Sequence, residues 1–349
     1  MELAMKKILL VALALIVSLP VHAAVTLKIA TVSPENTQWM RDLRASAAEI
    51  KTRTDGRVVI KFYGGGVMGN DTKVLGRIRI GSLQGGAFTA TTLASQYTDL
   101  NLYGLPLIFD SEEEVAYVRE RLDAKLQQGL EDAGFVNFGF AGGGFAILMS
   151  NTPVDELADL KGKKVWVPEG DSISYASMEA LSLSPVTLPL TDVLTGLQTG
   201  LLDIVAIPPI GALVLQWHTK IKYITELPLV YTIAFMAIEK RAFEKISPAD
   251  QAIVREIMDA TYRKFDVVNP KDNQAARDVL LNQGIKSMKF ERDNYLAIRA
   301  VLAESNKALG AKGKFSADMY DEMVGYIAEF RSKQAADISP PPDVSAANK

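Results

Sequence analysis

The chain has 349 residues, no cysteine, two histidines and a formal net charge of −3. That length exceeds one simple core and suits two domains, and 48% hydrophobic residues exclude a disordered or fibrous chain. With 38 basic against 41 acidic residues there is no electrostatic footprint for a polyanion, so nucleic acid is not an expected partner.

Residues 1–23 read as a secretory signal peptide. Lys6 and Lys7 precede an apolar run from Ile8 to Val17, and Val21-His22-Ala23 supplies the cleavage site. The run is about half the ~20 apolar residues that a membrane span needs. Cleavage near Ala23 leaves a periplasmic chain with His218 as its one histidine. Val25 to Thr31 is a first strand, and Ser33-Pro34 opens a helix with Trp39, Leu43, Ala47 and Ile50 on one face. Arg57 to Tyr63 is a β-branched second strand that runs into a glycine corner, Gly64 to Gly69, and then a helix. A short strand near Gly86 to Thr89 is followed by Leu105-Pro106-Leu107-Ile108-Phe109, and Ser111 caps a helix that begins Glu112-Glu113-Glu114.

Phe135 to Met149 is a long apolar stretch interrupted by Gly142, Gly143 and Gly144. Strands follow at Lys164–Pro168, Leu202–Ile207 and Val230–Ile238. Ser247-Pro248 starts a helix, Asn269-Pro270 marks a restart or kink, and Gly284 ends it. Two amphipathic helices near Arg292–Leu309 and Ser316–Lys333 precede a proline-rich tail. Strands alternating with helices give an α/β fold with mostly parallel pairing.

The search for chemistry returns little. Gly64-x-Gly66-x-x-Gly69 matches a dinucleotide fingerprint in letters, but the acid expected about twenty residues later is missing from Gly85–Ala90, so a tight turn is the better reading. No G-x-S-x-G elbow accompanies His218, which reads as a helix-surface residue. One histidine and scattered carboxylates do not make a metal site. No cofactor is expected, and a binding protein is favoured over an enzyme.

Several segments together resemble the extracytoplasmic solute-binding subunit of tripartite ATP-independent periplasmic (TRAP) transporters. Thr54-Asp55-Gly56-Arg57-Val58 resembles its "TGGRV" turn, Met68-Gly69 with Gly81-Ser82-Leu83 its "LG…GxLD", and Leu105–Phe109 its "LPFLF". Leu157-x-x-Leu160-Lys161-Gly162-Lys163-Lys164-Val165 is close to "LxDLKGLKIRVP", and Leu197-Gln198-Thr199-Gly200 with Asp203 to "ALQTGVVDG". The resemblance implies a periplasmic binding protein-like fold: two α/β domains with a ligand cleft between them, joined by crossing strands near Phe138–Ser150 and Tyr231–Ile238, and long C-terminal helices. The expected division is 24–143 plus 236–275 for domain I and 144–235 plus 276–305 for domain II. Helices over 306–335 pack across both, and 336–349 is a flexible tail. The implied partners are TRAP integral-membrane permease subunits, with an accessory periplasmic subunit left open.

Members of that family usually grip small organic acids, with an arginine in the "KIRVP" strand as a planar fork on the carboxylate. Here that position is Trp166. A second family arginine falls on Ala146, next to Phe145; the family asparagine after "DGQEN" falls on Ile207, and the aromatic of "PFSE" on Leu190. A carboxylate enclosed without such donors leaves its desolvation cost uncompensated. The expected ligand is therefore hydrophobic or amphipathic, lined by Trp166, Ile207, Ala146, Phe145 and Leu190, with Trp39, Phe88, Trp217 and Ile210 nearby. The alternatives are an ordinary organic acid held by other groups, such as Arg41, Asn36 or Arg77, and an exported hydrolase using His218.

Overall fold

The computed structural model describes residues 24–338. The expected signal segment 1–23 and the tail from residue 339 onward lie outside the described residues, and residues 336–338 end the last helix instead of starting the tail. Strand β1 (Val25–Thr31) pairs in parallel with β2 (Val58–Tyr63) and β3 (Gly85–Thr89). Between them runs α1 (Gln38–Arg53), started by Thr37, whose side chain accepts from the Met40 N–H, and packed through Met40, Leu43, Ala47 and Ile50. Helix α2 (Asp71–Arg79) is capped by Asn70, and α3 (Ala90–Leu93) is a single turn. Helix α4 (Glu112–Asp132) starts at the Ser111 cap read from sequence.

The second half is built the same way. Strand β6 (Val165–Pro168) pairs in parallel with β7 (Pro185–Leu188) and β8 (Ile204–Ile207), with α5 (Ser172–Ala180), α6 (Val193–Thr199) and α7 (Pro209–Val214) in the connections. Period-2 alternation sorts its core onto two faces. Leu148, Val165, Val167 and Ile204 pack on one side, and Ile147, Met149, Trp166, Val205 and Ile207 on the other.

Two strands join the halves. Strand β5 (Ala141–Ser150) runs antiparallel along its full length to the first part of the seventeen-residue β9 (Tyr223–Glu239), Ala141 opposite Ala234 and Ser150 opposite Tyr223. Strand β9 also pairs antiparallel with β3 and with β4 (Phe135–Asn137), and in parallel with β10 (Lys286–Lys289). The sheet order is β2-β1-β3-β9-β5-β8-β6-β7. Parallel pairing therefore dominates only within each lobe. The crossing strands make the centre antiparallel, because a chain that passes between lobes twice returns in the opposite direction.

After β9 come α8 (Lys240–Phe243) and α9 (Pro248–Asn282). The expected restart at Asn269-Pro270 is not there: α9 is one helix of 35 residues with Pro270 inside it. Proline removes one N–H and crowds the carbonyl four residues back. Tertiary packing offsets that cost. Val254, Ile257, Met258, Tyr262 and Phe265 anchor the first half in the first lobe, and Leu280 anchors the second half in the other lobe. Helix α10 (Arg292–Ala311) likewise places Ile298 and Leu302 in the second lobe and Leu309 in the first. Helix α11 (Ala317–Ile338) lies against α4, where Arg331 pairs with Glu114 and Asp110. Leu105–Phe109 is not a strand; it follows a 3-10 run and turns at Leu107, whose φ is +54° and whose N–H reaches Leu229 O at 2.8 Å.

Candidate functional site

In open α/β sheets the crevice lies outside the carboxyl ends of the parallel strands. In the first lobe these ends carry the glycine corner after β2 and Thr89 to Thr92 after β3. In the second they carry Glu169 after β6, Thr191 after β7 and Ile207 to Ile210 after β8. The two sets meet. Asn70 Nδ2 donates to Glu169 Oε2 at 2.8 Å and Thr72 Oγ1 to the same oxygen at 3.3 Å. A Cβ on Gly66 would stand 3.2 Å from the Thr191 methyl.

The glycine corner is a turn, as expected, and not a phosphate cradle. Gly65 and Gly66 adopt φ of +63° and +71°, and their N–H groups are spent on Ser33 O and Thr31 O. Asp71, the first residue of α2, accepts from Thr92 Oγ1 at 3.1 Å through Oδ2, while its Oδ1 is buried without a hydrogen-bond partner. Burial, with Glu169 adding like-charge repulsion, pushes the Asp71 carboxyl up to about 6.

Of the expected lining residues, Trp166, Ile207 and Trp217 share one buried cluster with Leu190 packed against it. The two indoles meet edge to face at 5.2 Å, and Trp166 Nε1 donates to Leu188 O at 3.0 Å. Phe145 lies edge to face with Tyr231 at 5.3 Å, against the first-lobe core that contains Phe88. Ala146 is buried opposite Val230 in the crossing ladder. Ile210 is half-buried, and its N–H donates to Asn273 Oδ1. Trp39 is spent elsewhere: it stacks on Phe265 of α9 at 4.8 Å. The structure thus brings together Trp166, Ile207, Leu190 and Trp217, and leaves Trp39 apart from them.

The charged alternatives separate too. Arg41 is tied to Asn36 O and Gln38 within its own first turn, and Arg77 occupies the last turn of α2, the end away from Glu169. His218 is not on a helix surface. It sits half-buried in a one-turn 3-10 piece, Trp217–Lys220, with Nδ1 on Ala212 O at 3.1 Å. Among the described residues no group of three or more histidines, aspartates or glutamates could hold a metal ion, and no helix is long and apolar enough to cross a membrane.

Sequence reasoning passed over Asn70, Asp71, Thr72, Thr92 and Glu169. The readable signal was positional: polar residues directly beyond strand ends are where such folds place ligand contacts. It also missed the side chains that hold the crossing strand. On the crossing strand, Gly142 N–H donates to Asp266, Asn269 Nδ2 donates to Gly142 O, and Asn273 Nδ2 donates to Gly143 O at 2.7 Å. Three side chains flanking Pro270 thereby hold two glycines, Gly142 and Gly143. Arg119, buried behind them, is bonded to Asp123, Asp266 and Phe140 O.

Comparison with known proteins agrees with this geometry. The description of bacterial extracellular solute-binding protein, family 7 (DctP) matches residues 29–312. The 2,3-diketo-L-gulonate-binding periplasmic protein of Escherichia coli K12 is 24% identical over 247 residues, 68% of this chain and 73% of that protein. The C4-dicarboxylate-binding periplasmic protein of Rhodobacter capsulatus is 27% identical over 202 residues, 56% and 59%. Among solved structures, the sugar acid binding protein of Advenella mimigardefordensis in complex with galactonate superposes with a TM-score of 0.80 at 18% identity, covering 88% of this chain and 99% of that one. A TRAP periplasmic solute binding protein from Ralstonia eutropha H16 with bound (S)-2-acetolactate gives 0.80 at 22%, covering 87% and 99%. These likenesses give the fold, and with the family match over most of the chain they agree with the reading as a binder and not an enzyme: this protein belongs to family 7 of the bacterial extracellular solute-binding proteins.

Proposed function

We propose that this chain captures a small organic acid in the cleft between its lobes and delivers it to the membrane permease of a tripartite transporter. The observation that carries the reading is the polar seam at the strand ends, where Asn70, Thr72, Thr92, Asp71 and Glu169 converge from both lobes. The orphan Asp71 Oδ1 suits a hydroxyl donor on the solute, and Asn70, Thr72 and Thr92, which donate to Glu169 and Asp71, would turn to its oxygens when it binds. Proteins similar to this chain carry 2,3-diketo-L-gulonate in their name or galactonate in their crystals, both rich in hydroxyls. The acid is held here by hydroxyl and amide donors, since Trp166 occupies the strand position where the family resemblance implies an arginine.

A hydrophobic or amphipathic solute is the second reading. It draws on the grouping of Trp166, Ile207, Leu190 and Trp217, but the indole N–H and both rings are already engaged in packing. Isothermal calorimetry with a panel of aldonic and uronic acids, C4-dicarboxylates and medium-chain amphiphiles separates the two. Binding of a hydroxy acid that is lost in Thr92→Val supports the first. Binding of amphiphiles alone, with a negative heat-capacity change, supports the second.

A further inference from the structure

We infer that Asp71 and Glu169 form a proton-sensitive catch between the lobes, so that acidification favours the closed arrangement of this protein. The inference rests on the reading that the two lobes close over a solute, but not on which solute it is. Glu169 lies on the second lobe, immediately after β6, and its contacts to Asn70 and Thr72 are made across the cleft to the two residues that flank Asp71. Closing the lobes therefore brings one carboxylate of each lobe to the same seam. Asn70 and Thr72 neutralise part of the demand at Glu169 with hydrogen bonds. Asp71 receives a single bond, from Thr92, and its other oxygen has lost water without gaining a donor. An ionised carboxylate in that position opposes closure twice, through its own desolvation and through repulsion from Glu169.

Protonation removes both costs. In the closed form burial holds the Asp71 carboxyl up at about 6, with Glu169 the one charged group acting on it from the facing lobe. In an open form water returns to Oδ1 and Glu169 recedes, so the group falls toward its ordinary value of 3.8. The sign follows: the closed form binds the proton more tightly, so closure is favoured below the ordinary carboxylate range and that gain is lost as pH rises through about 6. Between pH 7 and pH 5 the closed-to-open ratio rises by about tenfold. Capture is thus strongest on the acid side, and release is eased as the medium approaches neutrality.

The chain has no cysteine, so Ala48→Cys on α1 and Ala180→Cys on α5, both exposed, take a donor and an acceptor dye with no background labelling. Energy transfer in the solute-free full chain reads closure directly at pH 7, 6 and 5. The expected result is a shift toward the short-distance population of about tenfold in ratio over that span. With Asp71→Asn the shift vanishes and the pH 7 distribution resembles the acid one. With Glu169→Gln, which keeps an acceptor for Asn70 and Thr72, the midpoint moves to lower pH, and this variant serves if Asp71→Asn does not fold. A wild-type distribution flat from pH 7 to pH 5, or a shift that persists in Asp71→Asn, overturns the catch. Failure of every solute to bind in calorimetry would instead overturn the proposed function and leave this result standing.

Discussion

Trp166→Ala distinguishes a side chain that packs from one that waits for a ligand. Trp166 is 6% exposed, edge to face with Trp217, which is 1% exposed. Truncating a buried tryptophan to alanine costs about 3–5 kcal/mol, through lost transfer energy and the cavity that remains. Leu188 O also loses its indole donor, worth about 1 kcal/mol where water cannot fully replace it. Part of the aromatic pair is already contained in the first figure, so we expect a loss of about 4 kcal/mol. Urea unfolding of the solute-free protein followed by far-UV circular dichroism measures it, with Trp39→Ala as a comparison in the other lobe. The lobes need not unfold together, so the change should appear in the transition that includes β6 and β8. A loss below about 1 kcal/mol would refute the reasoning, because it would mean that the indole borders open space.

Three further outcomes concern the glycines of the crossing strand and the seam. Asn273→Ala removes both the bond to Gly143 O and the one from Ile210 N–H, and should raise amide exchange across residues 142–146 while costing about 1–3 kcal/mol. Gly144→Ala places a Cβ at φ +87° and 2.6 Å from Asn273 Nδ2, so a drop in melting temperature of several degrees is expected by calorimetry, whereas Gly56→Ala, with φ +77° but open space around it, should lose only the backbone cost of about 1–2 kcal/mol. Asp71→Asn should stabilise the protein by about 3 kcal/mol at pH 7 and by only about 0.5 kcal/mol at pH 4, since a carboxyl held up to about 6 costs stability only where it must ionise; equal effects at both pH values would contradict the burial argument.

Much of the architecture was legible because local chemistry and global fold agree. Ser111, Ser247-Pro248 and Thr54-Asp55-Gly56 punctuate the chain where helices and turns begin and end. Of the strands whose ends bound the cleft, β2, β3, β6 and β8 were legible, whereas the short β7 (Pro185–Leu188) was missed. What escaped were features set by distant partners. Pro270 reads locally as a break, yet a helix runs through it because Tyr262, Phe265 and Leu280 are fixed in two different lobes. Tyr223 to Pro228 shows no clear strand signal alone, but pairing with β5 and β10 makes it the first third of β9. The same limit applies to the site. Composition shows Trp166, Ile207 and Leu190 as apolar, but not whether they face a neighbour or a ligand; and Asp71 and Glu169, 98 positions apart in the chain, become one feature only when the lobes meet.

The position of β9 in the sheet also governs how the molecule can be made. Neither lobe owns its central strand: β3 finds its antiparallel neighbour about 150 residues later, and β5 is flanked by β8 and by the same late strand. A nascent chain that ends before residue 223 has unpaired edges on β3 and β5 and lacks the helix that covers them. Folding must therefore wait for chain synthesis to pass residue 239, and for Phe265 of α9 to reach the first core. Such high sequence separation slows folding. The strand that joins the two lobes in the finished protein is thus also a delay written into its folding.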